Sequence, residues 1–333
     1  MQEEKLSPEF SSPRFIPNSL GLMDSEEDQQ AEQRIEPHEM WLWFADNHWK
    51  QWHGVWVKWQ PLESSQAVLS FKSMRSFREA DGSHRTHCIH RNDWCSGAAG
   101  DTQNIKLAGG PWDLYEEVHS LPNGIVHPQN TDSRLLQFPN GDLGWLQLAL
   151  TPGHPRRIVF GEVQFLLPSK AAKVAVIMGF DGEDKLGVSQ ILEESKVSDE
   201  KPDPSWEGTL WKHHCSPLEK TRAEPRGTFV GTEMILTPGL MLTRKKALWR
   251  GFKGGMDEES AQNYTLMHLP YDVTCWAPKK AAIGKEHAFV VHWIVNQEEI
   301  RTILWNYGEN GCLQFLKTAL YCKRKEDASE LPL

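Results

Sequence analysis

The sequence predicts an all-β protein of two tandem antiparallel β-barrels with a short N-terminal capping helix. Three observations support this prediction: many short apolar runs alternate with polar residues, turn pairs separate the runs, and one series of landmarks occurs twice. Many short strands with regular turn signals are typical of a barrel or a sandwich. A chain of 333 residues is long enough for two domains of ordinary size.

The helical signal lies early in the chain, in the stretch EPHEMWLWFADNHWKQW. Pro37 suits a first helical position, and the acidic Glu36 and Glu39 suit the positive end of a helix. Residues 1–34 are rich in Pro, Ser and Glu and lack the apolar core of a secretory signal, so we expect a disordered segment. The tail at 326–333 has the same character.

Strand signals follow the helix almost without interruption. Val55, Val57 and Trp59 alternate with their neighbours at the period of two that a strand requires. Apolar runs such as RIVFGEVQFLL, KVAVIMGF, TFVGTEMIL and AFVVHWIV continue the pattern. Turn-forming pairs lie between such runs, at Asp81-Gly82, Asn123-Gly124, Asn140-Gly141, Asp181-Gly182 and Asn310-Gly311.

The landmarks that occur twice indicate a duplicated β domain. A shift of 148 residues aligns Leu121 with Leu269, Pro122 with Pro270 and Trp145 with Trp293, and a shift of 127 aligns Phe180 with Tyr307. The change of shift places extra residues in the first copy, around 151–172. The charged, Pro-containing stretch ESKVSDEKPDPSW separates the copies, so we predict one barrel at 35–200 and the other at 204–325.

A glycine begins the first strand of each predicted barrel. Gly54-Val55-Trp56 follows the helix and matches the G-x-W signature of lipocalin-like barrels, in which glycine permits close backbone approach and Trp56 plugs the barrel. Gly208 is the expected counterpart, although its tryptophan is displaced by one residue, so Leu210 could be the plug there. We therefore expect structural roles for Gly54, Trp56 and Gly208, and for the turn residues Pro122 and Pro270.

The stretches KVAVIMGFDGEDKLGVSQILEES and LPYDVTCWAPKKAAIGKEHAFVVHWIVNQEEIRTILWNYGENGCLQFLKTALYCKRK carry a family resemblance. They resemble an uncharacterised cyanobacterial and plastid family of tandem lipocalin-like barrel proteins, a domain of unknown function. That family is distantly similar to the lyases that attach bilin chromophores to phycobiliproteins. The resemblance covers about residues 41–325 and implies a chloroplast stroma or cyanobacterial cytoplasm as the compartment. The basic strand of the family is diluted here to KVAVIMGF, which weakens an anionic-ligand role for that strand.

Composition and motifs exclude several classes of function. A net charge of −9 argues against a nucleic-acid binder, because phosphate neutralisation needs clustered Lys and Arg. We expect no transmembrane segment, because no apolar run reaches the roughly 18 residues that a membrane span requires. The six cysteines form no C-x-x-C pair, which favours reduced thiols inside a cell. We find no catalytic fingerprint and expect no cofactor. We also expect no metal ion, because His84, Cys88 and His90 would be too far apart along one strand to bind it together.

Tryptophan is the residue that points to a ligand. Fifteen tryptophans exceed what two barrel plugs need, which favours an aromatic-lined cavity, although the rings could simply fill the two cores. Arg244 lies in a basic run that could meet a carboxylate at a barrel mouth or form a solvated strand face. The candidate ligand-binding residues are Trp59, Trp94, Trp145, Arg244, Trp249, Trp293 and Arg301.

Three functions remain open from these observations. The first is a soluble protein that binds or carries a hydrophobic small molecule such as a tetrapyrrole, a carotenoid or a lipid. The second is a chromophore lyase or isomerase acting on such a ligand, and the third is a non-catalytic assembly or scaffold factor. A carrier requires a mainly apolar cavity, an enzyme requires a titratable group facing that cavity, and a scaffold requires filled barrels. The sequence leaves the oligomeric state open.

Overall fold

The computed structural model describes residues 31–96, 106–150, 159–169, 171–181, 185–196, 217–254 and 261–324. Within these residues the chain forms nineteen strands and two short helices. The helices are α1 (Pro37–His48) and α2 (Glu116–His119). The strands are β1 (Ala31–Arg34), β2 (Gln51–Trp59), β3 (Ala67–Glu79), β4 (His87–Ser96), β5 (Lys106–Tyr115), β6 (Ser120–Leu121), β7 (Gly124–His127), β8 (Asn130–Gln137), β9 (Leu143–Gln147), β10 (Val159–Leu166), β11 (Ala172–Phe180), β12 (Leu186–Lys196), β13 (Phe229–Leu236), β14 (Met241–Leu248), β15 (Tyr264–Leu269), β16 (Val273–Pro278), β17 (His287–Asn296), β18 (Glu299–Tyr307) and β19 (Leu313–Lys323).

The strands form two antiparallel sheets, which confirms the predicted all-β class. The first sheet has eleven strands in the order β5-β4-β3-β2-β12-β11-β10-β9-β8-β7-β6. It is a nearly closed barrel, because its two edge strands, β5 and β6, follow each other in the chain and are linked through α2. The second sheet has eight strands in the order β1-β14-β13-β19-β18-β17-β16-β15.

The first described residues were expected to be disordered and are not. Ala31–Arg34 form β1, which pairs antiparallel with β14 at the edge of the second sheet. The compositional signal failed here because edge pairing depends on backbone hydrogen bonds rather than on apolar side chains. The predicted domain boundary at 200–204 lies outside the described residues, so the division into two domains stays a prediction.

The predicted helix is confirmed as α1, with Pro37 in its first turn. Its buried face contains Met40, Trp41 and Phe44. Trp43, next in the chain to Phe44, is only partly buried. The apolar face of α1 therefore closes over β6, β7 and β8 of the first sheet.

The two sheets repeat the same strand order, with β3-β2-β12-β11-β10-β9-β8 matching β14-β13-β19-β18-β17-β16-β15. The strand bounds agree with the 127-residue shift: β11 and β18 are related by 127 residues, as are β12 and β19. The 148-residue shift is wrong. In the first sheet Ile177 pairs with Glu162, which in turn pairs with Trp145 on the next strand. In the second sheet Leu304 pairs with Val290, which in turn pairs with Trp276.

Trp145 therefore corresponds to Trp276 and not to Trp293. The error arose because residues 151–172 were taken as an insertion, whereas they contain β10, the counterpart of β17. The same ladders do not match Gly54 with Gly231: Gly54 lies opposite Glu193, which corresponds to Leu320 of β19, whereas Gly231 lies opposite Tyr321, one residue further along. Gly208, the expected counterpart, lies outside the described residues.

Close backbone approach explains why glycine stands at Gly54 in the first sheet and at Gly231 in the second. A Cβ at Gly54 would lie 2.7 Å from Cγ of Glu193 and 2.7 Å from the Leu192 carbonyl oxygen. A Cβ at Gly231 would lie 2.9 Å from Cα of Tyr321 and would collide with the Leu320 carbonyl oxygen. The geometric reason inferred for Gly54 therefore applies at Gly231 as well.

The sheets pack through their outer faces. Gly161 of β10 leaves room for the Trp305 ring, because a Cβ there would lie 2.9 Å from the indole. Phe165, on the same face of β10, contacts Trp293 with ring centroids 5.9 Å apart. Along a strand the intervening residues point the other way, so Glu162 and Gln164 face the interior of the first barrel.

One buried carboxylate connects the sheets. Asp142 accepts hydrogen bonds at Oδ1 from Nη2 of Arg301 at 2.7 Å and from the Leu166 amide at 3.2 Å. Its Oδ2 accepts from Oγ1 of Thr318 at 2.6 Å and from Nδ2 of Asn140 at 2.9 Å. Because Asp142 is fully buried, these four donors supply the charge compensation that water cannot. We call Asp142, Arg301 and Thr318 the intersheet latch.

Candidate functional site

A small cavity lies inside the first barrel, beneath α1. Its volume is about 20 Å³, counted as the space open to the centre of a water-sized sphere. Its walls are mostly apolar, with four polar residues among them. The lining residues are Phe44, His48, Arg75, Phe77, Leu114, Ile125, His127, Leu135, Leu143, Trp145 and Gln164. Because one water molecule needs roughly 10–15 Å³ on this measure, the cavity fits about one water molecule.

The last turn of α1 is attached to the rim of the cavity by His48. Its Nε2 lies 3.0 Å from the carbonyl oxygen of Gly141, which can only accept a hydrogen bond, so Nε2 carries the proton. Burial is the main cause that lowers the pKa of His48 well below its usual value, and the ring is neutral at pH 7. Nδ1 of His48 is therefore an acceptor.

Gly141 adopts φ of +91°, and a Cβ there would collide with the Leu166 side chain, so this turn requires glycine. Asn140 and Asp142 flank it, and Asp142 belongs to the intersheet latch. One turn therefore contacts both the helix above the cavity and the second sheet.

Four buried charged groups lie on the interior face of the barrel beside the cavity. Nη1 of Arg75 lies 2.7 Å from Oε1 of Glu162, and its Nε lies 3.2 Å from Oε1 of Glu193. Nζ of Lys173 lies 3.0 Å from Oε2 of Glu193 and 4.2 Å from the centre of the Trp52 ring. Two positive and two negative groups balance. We call Arg75, Glu162, Lys173 and Glu193 the charge quartet.

Burial and pairing act in opposite directions on the quartet. Burial lowers the pKa of Lys173 to about 8, although Glu193 opposes that shift, so the ammonium stays charged at pH 7. Burial alone would raise the pKa of Glu193, but Arg75 and Lys173 hold it below its usual value. Pairing therefore opposes the effect of burial on the pKa of both Lys173 and Glu193.

Two histidines form a fixed relay on the wall of the cavity. The Gln129 amide donates to Nδ1 of His127 at 3.1 Å, so that nitrogen is an acceptor and Nε2 of His127 carries the proton. Nε2 of His127 then donates to Nδ1 of His90 at 2.7 Å, and Nε2 of His90 donates to Oδ1 of Asn92 at 3.0 Å. Burial lowers the pKa of His127 to about 3 and that of His90 well below its usual value. Both rings are neutral and their nitrogens are satisfied.

Three polar atoms of the lining side chains have no hydrogen-bond partner among the described residues. They are Nδ1 of His48, Nε1 of Trp145 and Oε1 of Gln164. The hydrogen bond from Nε2 of Gln164 to Oε1 of Glu162, at 2.7 Å, fixes which end of the Gln164 amide is nitrogen and which is oxygen. Buried polar groups are normally hydrogen-bonded, so three such atoms around one cavity indicate a place for a polar group.

The structure does not bring the predicted ligand-binding residues together. Trp145 lines the cavity. Trp59 is buried in the main core, and Trp293 and Arg301 lie at the contact between the sheets. Arg244 lies on β14 beside Gln33 of β1. Trp94 belongs to β4, and its side chain lies outside the described part of the chain.

Trp249 lies in a second, polar interior. It contacts Phe229, Phe252 and His292 on the inner face of the second sheet. On that face Glu233 lies 2.9 Å from Nζ of Lys317 and 3.6 Å from Nζ of Lys245, and it accepts from the Tyr321 hydroxyl at 2.8 Å. These groups satisfy one another.

The residues predicted to be structural are distributed along the first sheet and its contacts. Trp56 packs on Ala175, Ile177 and Ile191 in a small separate cluster. Pro122 lies in the turn between β6 and β7, and the carbonyl oxygen of Pro270 accepts from Nε2 of Gln190 at 2.9 Å. The plug role of Trp56 stays a prediction.

Sequence reasoning missed His48, Arg75 and Gln164. Alternation in KSMRSFRE and in VFGEVQFL indicates which residues share a face of a strand, but polar residues on alternate positions normally face solvent. The available signal was that both faces of β10 carry large residues, which is typical of a strand buried on both sides.

Within the described residues, no group of three or more His, Cys, Asp or Glu side chains could hold a metal ion. No helix in the same part of the chain is long and apolar enough to cross a membrane.

The comparisons with known proteins agree with this fold. Residues 38–199 match the family described as "Domain of unknown function (DUF3598), N-terminal". A protein of unknown function from the DUF3598 family of Nostoc punctiforme has a crystal structure similar to this one, with a TM-score of 0.56 and 12% sequence identity. The match covers 86% of this chain and 99% of that chain, and at this identity it shows the fold alone.

A second solved structure, the S-type phycobiliprotein lyase CPES from Guillardia theta, has a TM-score of 0.30 and 12% identity. It covers 50% of this chain and 96% of that chain. No curated protein matches the sequence.

Proposed function

We propose, for a chain whose residues 38–199 match the DUF3598 N-terminal domain, that the first barrel binds a small, mainly apolar molecule carrying one polar group. The supporting observation is the cavity beneath α1, whose apolar walls contain three buried polar atoms without partners among the described residues. An apolar pocket with a few convergent polar groups is the usual form of a ligand site.

The cavity has to widen before it accepts more than a water-sized group. One feature of the fold allows this. The ladder of the first sheet ends at β5 and β6, so strand separation there breaks no pairing among the described residues.

Binding is favoured over covalent chemistry by the lining itself. The eleven lining residues include no cysteine, serine or lysine that could act as a nucleophile, and burial lowers the pKa of the two lining histidines, which makes them weak bases. A pigment-like ligand and a plastid or cyanobacterial compartment are further parts of the proposal. They are supported by the family resemblance and by the cyanobacterial source of the DUF3598 structure.

The test is a titration of the full chain, monitored by tryptophan emission, with a bilin, a chlorophyll derivative, a carotenoid and a fatty alcohol. Leu135→Ala enlarges the cavity, whereas Leu269→Ala removes an equally buried leucine from the core of the second sheet. Both variants lose about 2–5 kcal/mol of stability. We expect saturable quenching by at least one ligand, tightened several-fold by Leu135→Ala and unchanged by Leu269→Ala. No saturable change with any ligand, or equal effects of the two variants, would favour a scaffold with filled barrels.

A further inference from the structure

We infer that the cavity beneath α1 selects a neutral hydrogen-bond donor, such as a hydroxyl group, at the polar end of its ligand and rejects a carboxylate. This inference rests on the proposed ligand-binding function and specifies the chemical class of the ligand. It follows from the hydrogen-bonding roles of the atoms that line the cavity and from the charge balance beside it.

The first step is the assignment of donors and acceptors. The Gly141 carbonyl fixes the proton of His48 on Nε2, which leaves Nδ1 as an acceptor. The Gln164 amide nitrogen donates to Glu162, which leaves Oε1 as an acceptor. Nε1 of Trp145 is a donor only. Among the atoms of the lining side chains that have no partner in the described residues, two are therefore acceptors and one is a donor.

The second step is to match a ligand group to this set. A hydroxyl group donates one hydrogen bond and accepts others, so it can donate to His48 or Gln164 and accept from Trp145. A carboxylate has acceptor oxygens only. It would satisfy Trp145 and would place its negative charge against the two acceptor atoms, both of which would stay without a donor.

The third step concerns the cations nearby. Arg75 lines the cavity, but its guanidinium is paired with Glu162 at 2.7 Å and with Glu193 at 3.2 Å. Lys173 is paired with Glu193 at 3.0 Å. Because the charge quartet is balanced, an entering carboxylate would add a buried charge without a free counter-ion.

The remaining lining histidine does not change this result. His127 already accepts from the Gln129 amide and donates to His90, so its two nitrogens are occupied. The other lining residues carry apolar side chains, which suit the hydrocarbon part of an alcohol.

The experiment compares 1-octanol with octanoate, which share a chain length and differ in the polar group, by calorimetric titration of the full chain at pH 7. We expect octanol to bind at least tenfold more tightly than octanoate. Equal or tighter binding of octanoate would overturn the inference and leave the proposed function intact. If neither compound binds saturably, the inference is refuted, and the titration with the four ligands named above decides the proposed function.

Three variants connect the preference to the assigned atoms. Gln164→Met removes an acceptor and should weaken octanol binding about fivefold while leaving octanoate unchanged. Trp145→Phe removes the donor and should weaken both compounds to a similar extent. Gln137→Met is the matched control, because Gln137 is equally buried, also has an unpartnered Oε1 and does not line the cavity. An octanol preference that Gln164→Met leaves undiminished, or that Gln137→Met reduces to the same extent, contradicts the assignment.

Discussion

Replacing Asp142 by asparagine should destabilise the protein more than its small change in shape suggests. The fully buried carboxylate is the counter-ion of Arg301, whose side chain is 5% exposed, at 2.7 Å. It also accepts from three neutral donors, including Thr318 at 2.6 Å. In the Asp142→Asn variant the Arg301 guanidinium has no counter-ion. The NH₂ group of the new asparagine also faces groups that are themselves hydrogen-bond donors.

The expected cost is about 3–5 kcal/mol, the usual range for removing one partner of a buried ion pair. The measurement is the free energy of unfolding in urea, followed by tryptophan emission and by circular dichroism. Because the latch joins the two sheets, we also expect the two probes to separate in the variant, as they do when cooperativity is lost.

Glu219→Gln is the matched control. Its carboxylate pairs with Arg222 at 2.9 Å but is 54% exposed, so its loss should cost less than about 1 kcal/mol. A cost for Asp142→Asn equal to that of the control, with coincident transitions, would refute the view that the latch holds the two sheets together.

Three further predictions follow from burial and backbone geometry. The pKa of His127, about 3 when folded, lies below the ordinary value of 6.5, so the unfolded chain binds its proton first as the pH falls. The contribution of His127 to the free energy of unfolding is therefore full above pH 6.5 and falls by about 2 kcal/mol at pH 5. Urea unfolding measured above pH 6.5 and at pH 5 should show a smaller loss of stability for His127→Gln than for the unchanged protein. Gly231→Ala should lower the free energy of unfolding by about 1–3 kcal/mol. Gly187→Ala is the control and should cost less than about 1 kcal/mol, because a Cβ at Gly187 would lie 3.6 Å from its nearest atom. Similar costs for the two variants would contradict the close approach of β13 and β19. In native protein a thiol reagent should label the exposed Cys312 within minutes. It should label Cys275, which is buried and whose pKa burial raises, only on unfolding. Mass spectrometry of the labelled peptides gives the order, and labelling of Cys275 before Cys312 would contradict the prediction.

Local sequence signals predicted most of the fold because each element carries its own pattern. Pro37 with acidic neighbours indicated the start of α1, and strand bounds confirm the 127-residue relation between the last two strands of each sheet. The alignment of Trp145 with Trp293 failed for a physical reason. Side-chain identity does not report ladder register, and only the pairing through β10 shows that Trp276 is the counterpart.

The candidate site was harder to predict, because its polar groups act through pairing that no linear pattern encodes. Arg75 and Glu162 are 87 residues apart in the chain, and neither has a motif around it. Trp145 was found because tryptophan content alone indicated an aromatic wall, but the same reasoning also selected Trp59 and Trp293, which fill cores and contacts. Burial of aromatic rings is common to both roles, so composition cannot separate them.

The most direct test of the account is the indole N–H spectrum of the full chain, labelled with ¹⁵N in its tryptophans, during titration with 1-octanol. Trp145→Phe and Trp293→Phe assign the two relevant signals. Because Nε1 of Trp145 is the free donor of the cavity, its signal should move saturably with the affinity seen by calorimetry, while that of Trp293, packed on Phe165 between the sheets, should stay in place. A Trp145 signal that does not move at saturating octanol would contradict the claim that this cavity binds the ligand.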